Sequence, residues 1–328
     1  MRRALLLTLL LAACDGETPP DDAGADASAT LDAAAGDDAG HDASPGRDAG
    51  TDAGAPIDPL EGASPARLIQ GGFAFLEGPH WTDGALLFTD IPRSTIHRLT
   101  LPDTVEELRN PSGAANGLAT LPDGRLLAAE HENRRVSVTE ADGSVVGFAT
   151  DFEGSAFHSP NDLAVRADGT VYFSDPPYGL DGRPRELDFN GVFRRAPDGA
   201  LETVWRGDAS SRPNGVALSP DASVLYVAYT AAGLVRAFDV AADGSTSGER
   251  IFAEGTPNAD GMAVDADGNL FVATADGVVA LAPDGSRWGT LEVPETPSNC
   301  AFGGPDGRTL FVTARSGLYA FDLRVPGA

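Results

Sequence analysis

The chain has 328 residues, with 49 acidic against 23 basic side chains and a formal net charge of −26. Phosphate recognition needs a basic face, so this balance argues against nucleic acid as a partner. With only two cysteines, Cys14 and Cys300, neither a disulfide framework nor a Cys-based zinc site is available.

Residues 1–14 read as an export segment. Arg2 and Arg3 supply a positive start, and Leu5 to Leu11 form an apolar run too short to span a bilayer as a mature helix. The run ends in Leu11-Ala12-Ala13-Cys14, which resembles a bacterial lipobox. That resemblance implies a lipid on the Cys14 thiol and cleavage just before it, so that a lipid replaces a transmembrane anchor. The expected location is the bacterial cell envelope, exported and held to a membrane through Cys14; an ordinary secretory signal with a chance cysteine is the alternative. Residues 15–64 repeat Asp-Ala-Gly at Asp22, Asp38, Asp48 and Asp52 and carry 13 acidic residues against one Arg. Such a stretch buries too little apolar surface to offset its ordering entropy, so it is expected to be a disordered, extended tether. Residues 65–328 form one domain-sized unit with a net charge of −16.

That unit repeats itself. Six segments share a grammar of polar anchor, Gly-like residue, short apolar run, turn, and β-branched or aromatic run. They open at Glu77-Gly78-Pro79, Asn116-Gly117-Leu118, Asn161-Asp162-Leu163, Asn214-Gly215-Val216, Asp260-Gly261-Met262 and Asn299-Cys300-Ala301, spaced 39 to 53 residues apart. In the second segment, strands are predicted over 117–120, 125–129, 135–139 and 145–149, with turns at Asp123-Gly124 and Asp142-Gly143. Four strands per repeat of this length predict an all-β, six-bladed β-propeller. The last repeat offers only three strands, so 67–70 is predicted to pair with 318–323 and close the ring. No segment holds a 3.6-residue period, and helices are expected to be few.

The innermost strand of each blade lines the central channel, so the six anchors are expected to point at one axis. Glu77, Asn116, Asn161, Asn214, Asp260 and Asn299 all carry a side-chain oxygen. Burying them together without a partner is costly, and a divalent cation removes that cost. All-oxygen ligation suits Ca²⁺ first, then Mg²⁺ or Mn²⁺, with Zn²⁺ less suited because it prefers His or Cys. The competing reading is that Asn and Asp open strands after turns in any β protein. The longest repeat has a Gly-, Pro- and charge-rich surplus near 177–190, where Tyr178, Asp181 and Arg183 are candidate substrate contacts or plain solvated loop residues. His158, three residues before Asn161, is the candidate base if Asp260 only holds metal. Cys300 sits in an apolar context and reads as a buried, inert thiol.

Several motifs, in this order and spacing, resemble bacterial gluconolactonases of the SMP-30 family. They include Leu76-Glu77-Gly78-Pro79-His80-Trp81, Glu130-His131-Glu132-Asn133-Arg134, Ser159-Pro160-Asn161-Asp162-Leu163, Phe173-Ser174-Asp175-Pro176-Pro177-Tyr178-Gly179 and Asp260-Gly261-Met262. The resemblance covers 66–323. It implies one bound divalent metal and hydrolysis of a small-molecule lactone. It also implies that Glu77, Asn214 and Asp260 are metal ligands, that Asn161 is a ligand or a substrate contact, and that Asp260 is proton donor and acceptor. Asn116 and Asn299 fall in the same ring as candidate substrate contacts, with His158, Tyr178 and Arg183. Where some members have an Arg two residues before Asn161, this chain has Ser159. A monomer is expected. Two other readings stand beside this one: a non-catalytic ligand- or protein-binding propeller with a structural calcium, and an aryl-ester or phosphotriester hydrolase on the same fold.

Overall fold

A computed structural model describes residues 57–328. The export segment, Cys14 and the tether up to residue 56 lie outside the described residues.

Short runs rich in Val, Phe, Tyr and Leu, punctuated by turns, fold into six four-stranded antiparallel sheets. Five blades are contiguous in the chain, at 76–109, 115–149, 163–207, 213–254 and 262–291. The sixth combines Pro297–Gly303, Thr309–Ala314 and Gly317–Asp322 with Arg67–Gly71 from the other end of the domain. Arg67 pairs with Ala320 and Leu68 with Tyr319, so the ring closes as the sequence predicts. The inner strands touch in succession around the ring, and Pro297–Gly303 returns to Leu76–Thr82. The turns of the second blade rely on Gly124 and Gly143, at φ of 89° and 83°, where a side chain would be strained. Among the described residues the only helical pieces are two 3₁₀ turns, Ile91–Arg93 and Thr230–Ala232. A small hairpin, Asp151–Phe152 with Ser155–Ala156, was not evident from the repeat.

Two features of the inner strands position the centre. First, the ladder breaks register at the anchors: between Glu77 and His80, Ala115 and Leu118, Pro213 and Val216, and Pro297 and Asn299. Such irregularities re-aim side chains. In the third and fifth blades the break is larger: the inner strands shrink to Leu163–Val165 and Met262–Val264, leaving Asn161 and Asp260 just ahead of them. Second, neighbouring anchors approach closely. A Cβ on Gly78 would lie 2.0 Å from the Asn116 carbonyl oxygen, and one on Gly215 would lie 2.3 Å from that of Asp260. Hydroxyls rivet the blades from behind: Thr89 Oγ1 donates to the Asn116 carbonyl at 3.0 Å and Ser174 Oγ to that of Asn214 at 2.6 Å. Ser298 Oγ donates to the Leu76 carbonyl at 2.6 Å across the closure.

Aromatic rings fill most of the packing between blades. Phe157, Phe173 and Phe193 interlock in one cluster, Trp205 meets Tyr229, and Trp81 stacks on Phe311 at 5.6 Å. Each such ring contributes on the order of 1.5–3 kcal/mol by burial.

Candidate active site

Glu77, Asn116, Asn161, Asn214 and Asp260 converge on one axial cavity of about 280 Å³. Glu77 comes from the first blade's inner strand, Asn116 and Asn214 from those of the second and fourth, and Asn161 and Asp260 from the approaches to the third and fifth. Phe75, Ile91, His131, Tyr178 and Thr230 complete the wall.

Hydrogen bonds fix most of these groups. Glu77 Oε2 accepts from the Gly78 N–H at 3.1 Å and from Asn299 Nδ2 at 3.2 Å. Asn214 Nδ2 donates to Thr230 Oγ1 at 2.9 Å, and Thr230 in turn donates to the Ala259 carbonyl at 2.8 Å, next to Asp260. Asn116 Nδ2 lies 3.4 Å from His131 Nε2, while Asn116 Oδ1 is buried with no donor at all. A bare carboxamide oxygen at such a place requires a partner that no described residue supplies.

The electrostatics point the same way. Burial pushes the Glu77 carboxyl up to about 8; the Asp162 charge adds to the rise, and the bonds from Gly78 and Asn299 oppose it. Asp260 is raised well above the usual carboxylate range, by burial first and then by the charges of Glu77 and Asp162. Two carboxylates this close, out of water, do not both ionise without a cation. His131 is pushed down to about 4 by burial, with Arg183 adding to the effect, so its imidazole is neutral at pH 7.

Three sequence candidates lie outside the cavity. Asn299 stands behind Glu77, where its amide supports the carboxylate and its Oδ1 accepts from the Cys300 N–H at 2.8 Å. It lines the opposite mouth of the channel. His158 is fully buried; Nε2 donates to the Leu187 carbonyl at 3.1 Å, and Nδ1 lies 3.9 Å from Asp175 Oδ2. It does not line the axial cavity, and its Nδ1 has no hydrogen-bond partner among the described residues. Arg183 folds back on its own loop and grips the carbonyls of Leu180, His131, Glu132 and Gly179, so it is a staple of the loop and neither the substrate contact nor the solvated residue that the sequence left open. Asp181 and Arg183 line an outer hollow of about 570 Å³ that shares Ile91, His131 and Tyr178 with the axial cavity.

Tyr178 does line the axial cavity although 42% of its surface is exposed, and desolvation of its hydroxyl raises its pKa. Its loop is pinned from below. Ser159 Oγ donates to the Pro176 carbonyl at 2.6 Å and accepts from the Gly179 N–H at 2.9 Å, while Asp175 accepts from the His158 and Ser159 N–H groups at 2.8 Å. Ser159 is therefore a buried brace for the Tyr178 loop.

Sequence reasoning passed over Asp162 and His131. Asp162 is buried at the axis on the side opposite the cavity. Its carboxylate accepts from Leu163 N–H at 3.0 Å and Val216 N–H at 3.1 Å, and burial raises it to about 6. The available signal was that Asp162 stands where most repeats place glycine after the anchor. His131 was visible only as part of the Glu130-His131 motif.

The sequence profile of the SMP-30/Gluconolactonase/LRE-like region matches residues 75–316. The chain belongs to this family. A gluconolactonase of Zymomonas mobilis is 34% identical over 290 aligned positions, covering 78% of this chain and 80% of that protein. The solved structure of a gluconolactonase from Xanthomonas campestris superposes with a TM-score of 0.75 at 30% identity, over 81% of this chain and 92% of that one. At 21% identity, the calcium-binding protein regucalcin of Agrobacterium tumefaciens shares the fold, with a TM-score of 0.68. The matched region contains all five convergent anchors and the whole Tyr178 loop.

Proposed function

We propose that this chain hydrolyses a sugar lactone with one divalent cation, Ca²⁺ in the first place, bound in the axial cavity. The observation that carries the reading is the convergence of Glu77, Asn161, Asn214 and Asp260 on one small space, beside an Asn116 oxygen with no partner among the described residues. The donor set fits a hard cation: two carboxyls that burial and neighbouring negative charge hold toward the protonated form, and carboxamide oxygens at hand. The lactonase names of relatives at 34% and 30% identity support the substrate class.

Glu77, Asn161, Asn214 and Asp260 would hold the ion, which supplies Lewis-acid polarisation of the lactone carbonyl when bound. Asp260 stands at the reacting centre, steadied by Asn214. It takes the proton of the attacking water as the new C–O bond forms, and gives it to the ring oxygen as the old C–O bond breaks. The product is an open hydroxy acid. Asn116, turned by His131, and the Tyr178 hydroxyl are placed to orient substrate hydroxyls.

The test is acid release from glucono-1,5-lactone by the mature chain, with metal analysis of the same sample. The expected result is activity that a chelator removes and Ca²⁺ restores, with Asp260→Asn retaining some metal but losing turnover. Silence across sugar lactones despite bound metal would favour a binding propeller, and activity confined to phenyl esters or phosphotriesters would favour the other hydrolase. We further propose that Cys14 carries a lipid holding the enzyme at the envelope. The motif Leu11-Ala12-Ala13-Cys14 supports this, and recovery of Cys14→Ala in the same membrane fraction as the parent would refute it.

A further inference from the structure

Five of the six buried apolar clusters among the described residues contain aromatic rings. The sixth, between the first and second blades, consists of Leu87, Ile96, Ala115, Leu118 and Ala128, with Leu126 at its edge. Two of its members are alanines and none is a ring. A groove of about 600 Å³ opens on this flank. None of the residues lining the axial cavity lines this groove.

Its walls join two kinds of surface. Leu87, Leu108 and Leu126 form an apolar strip, and Leu108 is 46% exposed. Beside them, three buried polar atoms lack any partner: Arg98 Nε, Arg109 Nη1 and Thr139 Oγ1. Arg109 is held from one side only, its Nη2 donating to the Ser112 carbonyl at 2.9 Å and to Glu130 Oε1 at 3.0 Å. Arg98 faces Glu106 in strand register, yet no carboxylate among the described residues comes within 4.0 Å of its guanidinium. The acids at the far end of the groove are already engaged: Asp123 and Glu140 both pair with Arg125, at 2.8 and 2.9 Å. Asp83 remains exposed in its turn at the rim.

Arg98 and Arg109 each keep an unpartnered guanidinium nitrogen, and Arg98 has no carboxylate partner among the described residues; such a cation calls for an anionic acceptor. The apolar strip beside them calls for a hydrocarbon body, which a sugar acid or inorganic phosphate lacks. We propose that the seam between the first and second blades is a second binding site, for an amphipathic monoanion. Its carboxylate lies at Arg98, and its aliphatic chain covers Leu87, Leu108 and Leu126. This site is separate from the lactone site and does not depend on its chemistry.

Octanoate is the probe, titrated calorimetrically into the mature chain below its micellar range, with acetate and octanol as controls. Saturable octanoate binding is expected, with both controls at least about tenfold weaker because each lacks one half of the recognition. Arg98→Gln should weaken octanoate by about tenfold or more. Leu126→Phe supplies the ring this seam lacks; it should raise the melting temperature without ligand and abolish binding. Lactone hydrolysis should be unchanged in both variants. The proposal fails if octanoate shows no saturable binding, if octanol binds as tightly, or if Arg98→Gln binds octanoate as the parent does.

Discussion

The charge state of the axial carboxylates makes cation binding steeply dependent on pH. With no cation, the Glu77 carboxyl stands at about 8 against 4.5 in an unfolded chain, and Asp260 is also raised well above its ordinary value. At pH 7 a group with a pKa of about 8 is roughly nine-tenths protonated. A cation needs the ionised forms, so binding expels about one proton from Glu77 and up to about one more from Asp260. The logarithm of the affinity should then rise by about one to two per pH unit between pH 5.5 and 7.5, with the Glu77 contribution fading above pH 8. Calorimetry at pH 7 in PIPES and in Tris, whose ionisation enthalpies differ, reads the released protons directly. Stability without cation should move the other way. Glu77 holds its proton in the native state up to about pH 8 but loses it in the unfolded chain near 4.5. Its stabilisation is therefore complete below 4.5 and lost as pH rises through 8. Asp175, raised to about 7 by burial, adds to the same trend. His80 and His131, held near 4, oppose it only below pH 6.5, where the unfolded chain begins to bind protons at histidine. Between pH 6.5 and 8 the cation-free protein should lose about 1.4 kcal/mol per pH unit for each proton involved, and Ca²⁺ should remove that loss. Equal affinity at pH 5.5 and 8, with no proton release, would refute the reasoning.

Gly215→Ala forces a Cβ to within 2.3 Å of the Asp260 backbone oxygen, so it should destabilise by about 1–3 kcal/mol in chemical denaturation and reduce kcat further by displacing Asp260. Ser159→Ala removes two buried hydrogen bonds under the Tyr178 loop; it should cost about 1–3 kcal/mol and raise KM for the lactone more than it lowers kcat. His158→Gln, which keeps a donor toward Leu187, should retain turnover within a few-fold, because the imidazole does not line the axial cavity; a collapse of kcat with an unchanged melting temperature would contradict that placement.

Fold and ring anchors were legible because a blade is a local unit. Four strands and three turns recur over 39 to 53 residues, and equal positions in equal blades necessarily face one axis. That reasoning reached Glu77, Asn116, Asn161, Asn214 and Asp260 without any tertiary information. It failed where position along the channel matters as well as direction. Asn299 shares the register of the other anchors, but its amide turns to brace Glu77 from the far side. His158 and Arg183 are close in sequence to working residues, yet the path of the 176–189 loop decides where they end, and no periodicity encodes that path. His131 is the reverse case: the second blade's turn carries it back over the cavity, and its sequence neighbours give no hint of this.

The tight ring and the reactivity of the centre have one origin. Glycine follows the anchor in the first, second, fourth and fifth repeats, and at Gly78 and Gly215 it lets one blade's backbone rest on its neighbour's anchor carbonyl. This close approach excludes water from between the inner strands, and burial is the largest cause of the raised pKa at both Glu77 and Asp260. Where the third repeat has Asp162 instead, the carboxylate reaches across to the Val216 N–H and does by hydrogen bonding what the glycines do by contact. It also adds a third negative charge that raises the other two carboxyls. A looser ring would hydrate Glu77 and Asp260, lower their pKa values and leave them ionised without a partner. The glycines and Asp162 thus hold the two axial carboxyls toward their neutral forms, although none of them touches the axial cavity.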